Sequence, residues 1–320
     1  MQAIGGYFEL GLPSMEDYYP DALKFQSARA AFFSLLQVGK PSRVWIPSYI
    51  CDAMISPILR SEIECVFYDI GDQFNISDQI HLTDDDWLIY VNYFGICSEN
   101  ITRILNRYNT KQIVLDYSQA FFSPPQDTLA TIYSPRKFFG VPDGGLLYSQ
   151  LQVSEPEIID TTSLNRMGHL LKRLAEDSPE AGYADFQRAE KSLQNMELRR
   201  MSSLTRRLLL SQNFEGIRQK RNDNFRFLHK SLEEFNLLKI HMSDINGPLC
   251  YPFFSEKEGL RKKLIAKRIF VPTYWQDVLA RVDKLSFEFK LVKECLPLPI
   301  DQRYNFNDLQ RIIDIILEQR

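Results

Sequence analysis

The stretch QIVLDYSQAFFSPPQDTLATIYSPRKFFGVPDGGLLYS, residues 112–149, decides the fold. It holds three short apolar runs, 112–118, 130–134 and 144–149, separated by proline, glycine and small polar residues that favour turns. The first run is continuous rather than alternating, which is the pattern of a strand buried on both faces of a mainly parallel sheet. Toward the N-terminus the same texture recurs in RVWI (43–46), ECVFYDI (64–70) and WLIYVNYF (87–94). Helix-compatible segments at 52–60 and 101–107 lie between these runs. The alternation is a βαβ rhythm and predicts a three-layer, doubly wound or related α/β domain.

Toward the C-terminus the texture changes. Residues 156–235 are charged and mostly helical, and RRMSSLTRRLLLSQNFEGIRQKRNDNFRFLHKSLEEF (199–235) carries apolar residues at helical spacing among many basic ones. These arginines read as a solvated helix face or a subunit interface rather than a nucleic-acid surface. Beyond 236 the pattern is mixed: LLKIHM (237–242), CYPFF (250–254), a helix near 258–267, RIFVP (268–272), CLPLPI (295–300) and an amphipathic helix at 307–318. The expected organisation is a large domain with its N-terminal segment over 1–210, followed by a small α/β domain with its own sheet over 211–320.

Composition narrows the functions. The chain has 320 residues, of which 44% are hydrophobic and 25% charged, which is ordinary for a globular protein and excludes wholesale disorder. Thirty-eight Lys+Arg against 41 Asp+Glu give a net charge of −3 and no global field for a nucleic-acid backbone or an anionic membrane. No run of 18 apolar residues could span a bilayer, and MQAIGGYFELGLPSMED lacks the features of a secretory signal. Cys51, Cys65, Cys97, Cys250 and Cys295 are odd in number and form no C-x-x-C pair, so they read as reduced thiols in a cytoplasmic protein. Phosphate-loop, G-x-G-x-x-G, G-x-S-x-G and H-E-x-x-H motifs are absent. No metal site is expected, since His229 and Glu233 read as a polar i,i+4 pair.

Three places carry chemical signals. Asp116 follows an apolar run at the C-terminal end of a strand, where open α/β sheets bind ligands; taken alone it also reads as a helix cap or a structural ion pair. Lys137 sits beside Phe138 and Phe139, a setting in which desolvation would favour the neutral amine needed for a Schiff base; the alternative is a surface lysine on a loop. Ser27, Ala28 and Arg29 open a helix and offer a hydroxyl, backbone N–H groups and a guanidinium to an anion, or serve only as a cap. Pyridoxal phosphate could use all three, because it has a phosphate for a helix start, a ring nitrogen for a carboxylate and an aldehyde for a lysine.

The order and spacing of these features resemble the DegT/StrS family of sugar aminotransferases, within the fold-type I group of pyridoxal-phosphate enzymes. DYSQAF (116–121) resembles the family's Asp-x-x-Gln-Ala motif and YSPRKFFGVPDGG (133–145) its lysine segment ending in Asp-Gly-Gly. IPSYICDAM (46–54), VNYFG (91–95), RRMSSLTRRLL (199–209) and LPLPIDQRY (296–304) are similar to further family segments, so the resemblance covers about residues 20–320. It implies an aspartate-aminotransferase-like large domain with a small C-terminal domain. It also implies that Lys137 forms the internal aldimine and shuttles the proton, that Asp116 pairs with the ring nitrogen and that Gln119 sits near the ring hydroxyl. The phosphate would fall to Ser27, Ala28 and Arg29.

Departures from the family pattern bear on the phosphate and the ring. Ile132 stands where the family has a phosphate-binding Ser, and Leu198 where it has an Asn that reaches across a dimer interface. Arg29, Ser134 and Arg136 are the replacements expected, with Arg29 foremost. Cys51 aligns with the aromatic that stacks on the ring, and Tyr49 is the expected substitute. Trp275, Arg303, Tyr93 and Asn92 are further positions that could line a pocket or simply pack.

The function so implied is a cytoplasmic, homodimeric transferase that moves an amino group, from glutamate, onto a nucleotide-linked keto-sugar for polysaccharide biosynthesis. Two alternatives stand beside it. One is a non-catalytic or regulatory binding protein of the same fold, and the other is a pyridoxal-phosphate enzyme of different reaction, such as sugar dehydration. Lys137 argues against the latter, since the family's dehydratases place His there.

Overall fold

Every residue of Asp86–Val91 and Ile113–Tyr117 is buried, and both stretches are rich in β-branched and aromatic side chains. Such segments are stable only at the centre of a sheet covered on both faces. The computed structural model of the chain describes residues 4–77, 79–176, 178–195 and 197–318. The first three residues of the N-terminal stretch and the expected domain limit at 320 lie outside the described residues.

Seven strands form the main sheet: β1 (Leu23–Phe25), β2 (Arg43–Pro47), β3 (Glu64–Tyr68), β4 (Asp86–Val91), β5 (Ile113–Tyr117), β6 (Ala130–Tyr133) and β7 (Gly145–Ser149). Their order is β1-β7-β6-β5-β4-β2-β3; β7 runs antiparallel to both its neighbours, and the pairs from β3 through β6 are parallel. Helices α1 (Ala28–Gly39), α2 (Asp52–Arg60) and α3 (Ser98–Arg107) supply crossovers, and α1 packs on α2, β6 and β7. The chain steps outward from β2 to β3 and returns to β4 on the other side of β2. A reversal of strand order such as this marks the place, beyond the C-terminal strand ends, where open α/β sheets usually bind ligands.

Two glycines fix how the sheet meets α1. Gly144 has φ +126°, and a Cβ on Gly145 would lie 2.2 Å from the Ser27 carbonyl carbon and 2.4 Å from the Ala28 nitrogen. Only a glycine lets β7 approach the start of α1 so closely. Asp143, fully buried, accepts the Ser202 N–H at 3.3 Å and so ties the same turn to the 199–202 segment.

After β7 come α4 (Gly168–Ala175) and α5 (Tyr183–Ser192), packed on each other, then α6 (Ser203–Leu209) and the long α7 (Phe214–Leu232). The remainder contains β8 (Tyr251–Phe254), α8 (Leu260–Ala266), α9 (Phe287–Glu294), β9 (Cys295–Leu298) and α10 (Phe306–Leu317). Strands β8 and β9 pair antiparallel, with α7 against β8 and α10 against α7. The runs 237–242 and 268–272, which carry strand-like apolar patterns, form no strand; the first ends in a 3₁₀ turn, Met242–Asp244. Conversely β1, only three residues long, was not evident from pattern. It exists because it pairs Leu23, Lys24 and Phe25 with Leu147, Leu146 and Gly145 of β7.

None of the five cysteines is in a disulfide, and Cys97, Cys250 and Cys295 are buried. Among the described residues no helix is long and apolar enough to cross a membrane. His229 and Glu233 form the expected i,i+4 pair at 3.0 Å.

Candidate active site

The C-terminal ends of four neighbouring strands converge on one side-chain cluster. Asp116, at the buried end of β5, accepts the Ser118 N–H on Oδ1 at 2.8 Å. Ser118 in turn accepts a hydrogen bond on Oγ from the Lys137 Nζ at 3.0 Å. Lys137 closes the 3₁₀ turn Pro135–Lys137 that follows β6. One serine therefore joins the carboxylate to the lysine, although 21 residues of sequence separate them. Ser118 carried no distinctive motif of its own, and only the tight turn after β5 brings it there.

Cys51 follows β2 and faces this cluster. Burial pushes its thiol pKa up, the Lys137 ammonium pulls it back, and the Asp116 carboxylate adds to the rise. Gln119 is fully buried; its Oε1 accepts the Phe94 N–H at 2.7 Å, while its Nε2 has no hydrogen-bond partner among the described residues. Phe94 lies in the left-handed region at φ 56° and Gly95 follows at φ 80°. A Cβ on Gly95 would meet the Gln119 carbonyl at 3.0 Å, so the glycine permits the loop after β4 to close on the loop after β5.

The lysine turn is held from both sides. Phe138 and Phe139 are buried among Phe121, Phe122 and Phe214 rather than over the lysine. Lys137 is exposed as a residue, and the rings of Phe138 and Phe139 turn into the core instead of covering its side chain, whose Nζ is held by Ser118. On the other side, Gln302 Nε2 donates to the Phe138 carbonyl at 3.1 Å and the buried Arg221 reaches it at 3.5 Å. Arg221 also lies over the Phe138 ring and donates to the carbonyls of Pro248 and Leu249, and burial lowers its pKa to about 10. Nothing in the local sequence of Arg221 or Gln302 marked them, because their contacts are long-range.

The other expected residues divide. Ser27 caps α1 by accepting the Ala30 N–H at 3.1 Å, and Ala28 begins that helix. Arg29 donates from Nη1 to the Leu193 carbonyl at 2.9 Å and from Nε toward the Ala53 carbonyl at 3.4 Å. Burial lowers its pKa, offset by the nearby Cys51 and Glu190 and reinforced by Arg136. Arg136 forms an ion pair with Glu190 of α5. Ser134 precedes the lysine turn without capping it. Ile132 lies fully buried within β6 and Leu198 is partly exposed.

Tyr49 is not brought to the cluster. Its ring is buried edge-on against Trp275 at 4.6 Å and beside Tyr93 at 5.5 Å, and its hydroxyl, raised well above its ordinary pKa by burial, neighbours Cys295, Cys250 and Tyr274. The turn after β2 sends Tyr49 toward β8 and β9 while Cys51 faces Lys137. Trp275 thus packs, as does Tyr93, whose hydroxyl donates to the Tyr49 carbonyl at 3.0 Å. Asn92 is buried and accepts the Cys97 N–H at 2.9 Å. Arg303 is engaged by Asp301 at 2.7 Å.

The fold and this arrangement of strand ends define an aspartate-aminotransferase-like α/β architecture, and solved structures share it. The chain is similar to a DegT/DnrJ/EryC1/StrS aminotransferase from Brucella abortus, at 17% identity and TM-score 0.63 over 93% of this chain and 85% of that one. It is similar to PseC of Helicobacter pylori, an aminotransferase involved in the biosynthesis of pseudoaminic acid, at 16% identity and TM-score 0.62 over 93% and 86%. NtdA of Bacillus subtilis, solved with bound cofactor PMP, matches at 18% identity and TM-score 0.64 over 93% and 72%. The likeness at these identities is one of fold, and it is the fold that the motifs resemble. No protein-family profile and no curated protein matches the chain by sequence.

Proposed function

We propose that the chain is a pyridoxal-phosphate-dependent aminotransferase acting on a nucleotide-linked keto-sugar, with glutamate as amino donor. The observation that carries this reading is the Lys137–Ser118–Asp116 linkage at the ends of β5 and β6. Two further features fit the cofactor. Asp116 is 3% exposed and makes no ion pair among the described residues, so it can accept a protonated ring nitrogen. Gln119 Nε2 is a buried donor without a hydrogen-bond partner among the described residues, suited to a ring oxygen.

When bound, the cofactor supplies an electron sink that the twenty side chains lack. Asp116 would hold a proton on the ring nitrogen. Lys137 would hold the group through Nζ and, as a free amine, would move the proton at the substrate α-carbon, with Ser118 Oγ orienting that amine. Phe138 is clamped by Gln302 and Arg221, which keeps the lysine turn in place through this change. Ser27, Ala28, Arg29, Ser134 and Arg136 supply the phosphate end. Cys51 takes the place of a ring-stacking aromatic. A division near residue 210, a homodimer and a cytoplasmic setting belong to the same reading; exposed Ile158, Leu164, Leu171, Leu174 and Tyr183 support a subunit interface.

A second reading, a binding protein that keeps the fold without turnover, is favoured by Ile132 and Leu198, which cannot bind phosphate. Release of 2-oxoglutarate from glutamate in the presence of pyridoxal phosphate, stimulated by a panel of nucleotide-linked keto-sugars and abolished in Lys137→Ala, supports the enzyme. Cofactor binding without any such release in the wild type supports the binding protein.

A further inference from the structure

Two guanidinium groups near Lys137 are both engaged at the C-terminal end of α5, one by its last turn and one by the residue that caps it. Arg136 pairs with the Glu190 carboxylate, and Arg29 donates to the Leu193 carbonyl at 2.9 Å. Glu190 and Leu193 belong to a single turn, closed by the Leu193 N–H to the Glu190 carbonyl at 3.2 Å. Arg29 and Arg136 also feel each other and Glu190 electrostatically, and Arg29 feels Cys51, which feels Lys137 and Asp116. A carboxylate therefore sits among the cations next to the reactive lysine.

Arg136 is not satisfied by this pairing. Its side chain is 17% exposed, and its Nε is buried with no hydrogen-bond partner among the described residues. A monodentate carboxylate leaves that donor unused, whereas a phosphate monoester presents three oxygens and can be gripped bidentately. Glu190 is 42% exposed, so it can swing into water at small cost.

We propose that Arg29 and Arg136 form the phosphate-monoester subsite of this chain and that Glu190 occupies it in the unliganded protein, as an internal competitor displaced when the phosphate arrives. The proposal rests on the cofactor reading for the identity of the ligand. It adds that the last turn of α5 must move for loading, and that retention is set by competition rather than by a preformed cradle. The chain thereby replaces the two phosphate ligands lost at Ile132 and Leu198 with a switchable pair.

Calorimetric titration tests it with probes that form no bond to lysine: inorganic phosphate, pyridoxine 5′-phosphate, and pyridoxine as the phosphate-free control. Glu190→Gln is expected to tighten both phosphate-bearing probes about fivefold and to leave pyridoxine unchanged. Arg136→Gln is expected to weaken both. Unchanged or weaker phosphate binding in Glu190→Gln would overturn the proposal, as would tightening of pyridoxine to the same degree. Parallel absorbance titrations with pyridoxal phosphate separate the two claims. Tighter phosphate binding without a lysine-bound cofactor would uphold the anion subsite and remove the cofactor reading. A lysine-bound cofactor with identical phosphate affinity in wild type and Glu190→Gln would do the reverse.

Discussion

At the residue scale the site depends on small side chains as much as on the two that carry chemistry. Gly145 has no space for a methyl group, because the nearest atoms belong to the Ser27 and Ala28 backbone, which cannot yield. Gly145→Ala should therefore cost about 3 kcal/mol in urea unfolding, while loosening the start of α1. Asp116→Asn keeps the shape and the hydrogen bond to Ser118 but removes the charge that would hold a ring proton. It should lower amino-group transfer on the order of a hundredfold with the fold intact by circular dichroism. Asp116, Lys137 and Gln119 were legible in sequence because each lies within a few residues of a strand end. Ser118, Arg221 and Gln302 were not, since their roles arise from contacts made only after folding. Tyr49 and Cys51 show the limit most clearly: two residues apart, one packs on Trp275 and the other lies near Lys137, a difference that the sequence does not carry.

At the scale of elements, the continuous apolar runs of the main sheet announced themselves because burial on both faces leaves no polar alternation to confuse them. Helix α2 spans Asp52–Arg60 as read from sequence, and the cap at Ser27 was likewise visible. The apolar runs at 237–242 and 268–272 misled because a strand needs a partner as well as a pattern, and only β8 and β9 found each other. The loop between β7 and α4 illustrates a different kind of support. Arg166 donates to the buried Asp160 at 2.6 Å and also to Thr162. Burial alone would push the Asp160 carboxyl up, but hydrogen bonds from Arg166 and Thr162 outweigh it and hold the pKa below the ordinary carboxylate value. Stability from this pair is thus complete above about pH 4 and is lost as the pH falls through the folded pKa. Replacing Asp160 by Asn leaves Arg166 buried without its counter-charge and should cost about 3 kcal/mol at pH 7. The gap from wild type in urea midpoint should narrow below about pH 4; a gap constant with pH would show that the carboxylate charge is not what stabilises the loop.

At the scale of the whole molecule, the seven-stranded sheet supplies the strand ends, and Arg221 of α7 and Trp275, before the 3₁₀ turn Gln276–Ala280, pack against the loops that follow β6 and β2. Leu171 and Leu174 on α4 are 50% and 84% exposed, which a second copy of the chain would cover in the dimer proposed here. Leu171→Glu with Leu174→Glu should shift sedimentation at micromolar concentration from dimer to monomer; an unchanged dimer would place the interface elsewhere. The central claim, that Lys137 and Asp116 hold pyridoxal phosphate, is tested most directly by adding the cofactor to the purified chain, reducing with borohydride and mapping the label by peptide mass. The account predicts one reduced pyridoxyl group on Lys137, absent from Lys137→Ala. No label at saturating cofactor, or a label spread over surface lysines and unaffected by that substitution, would contradict it.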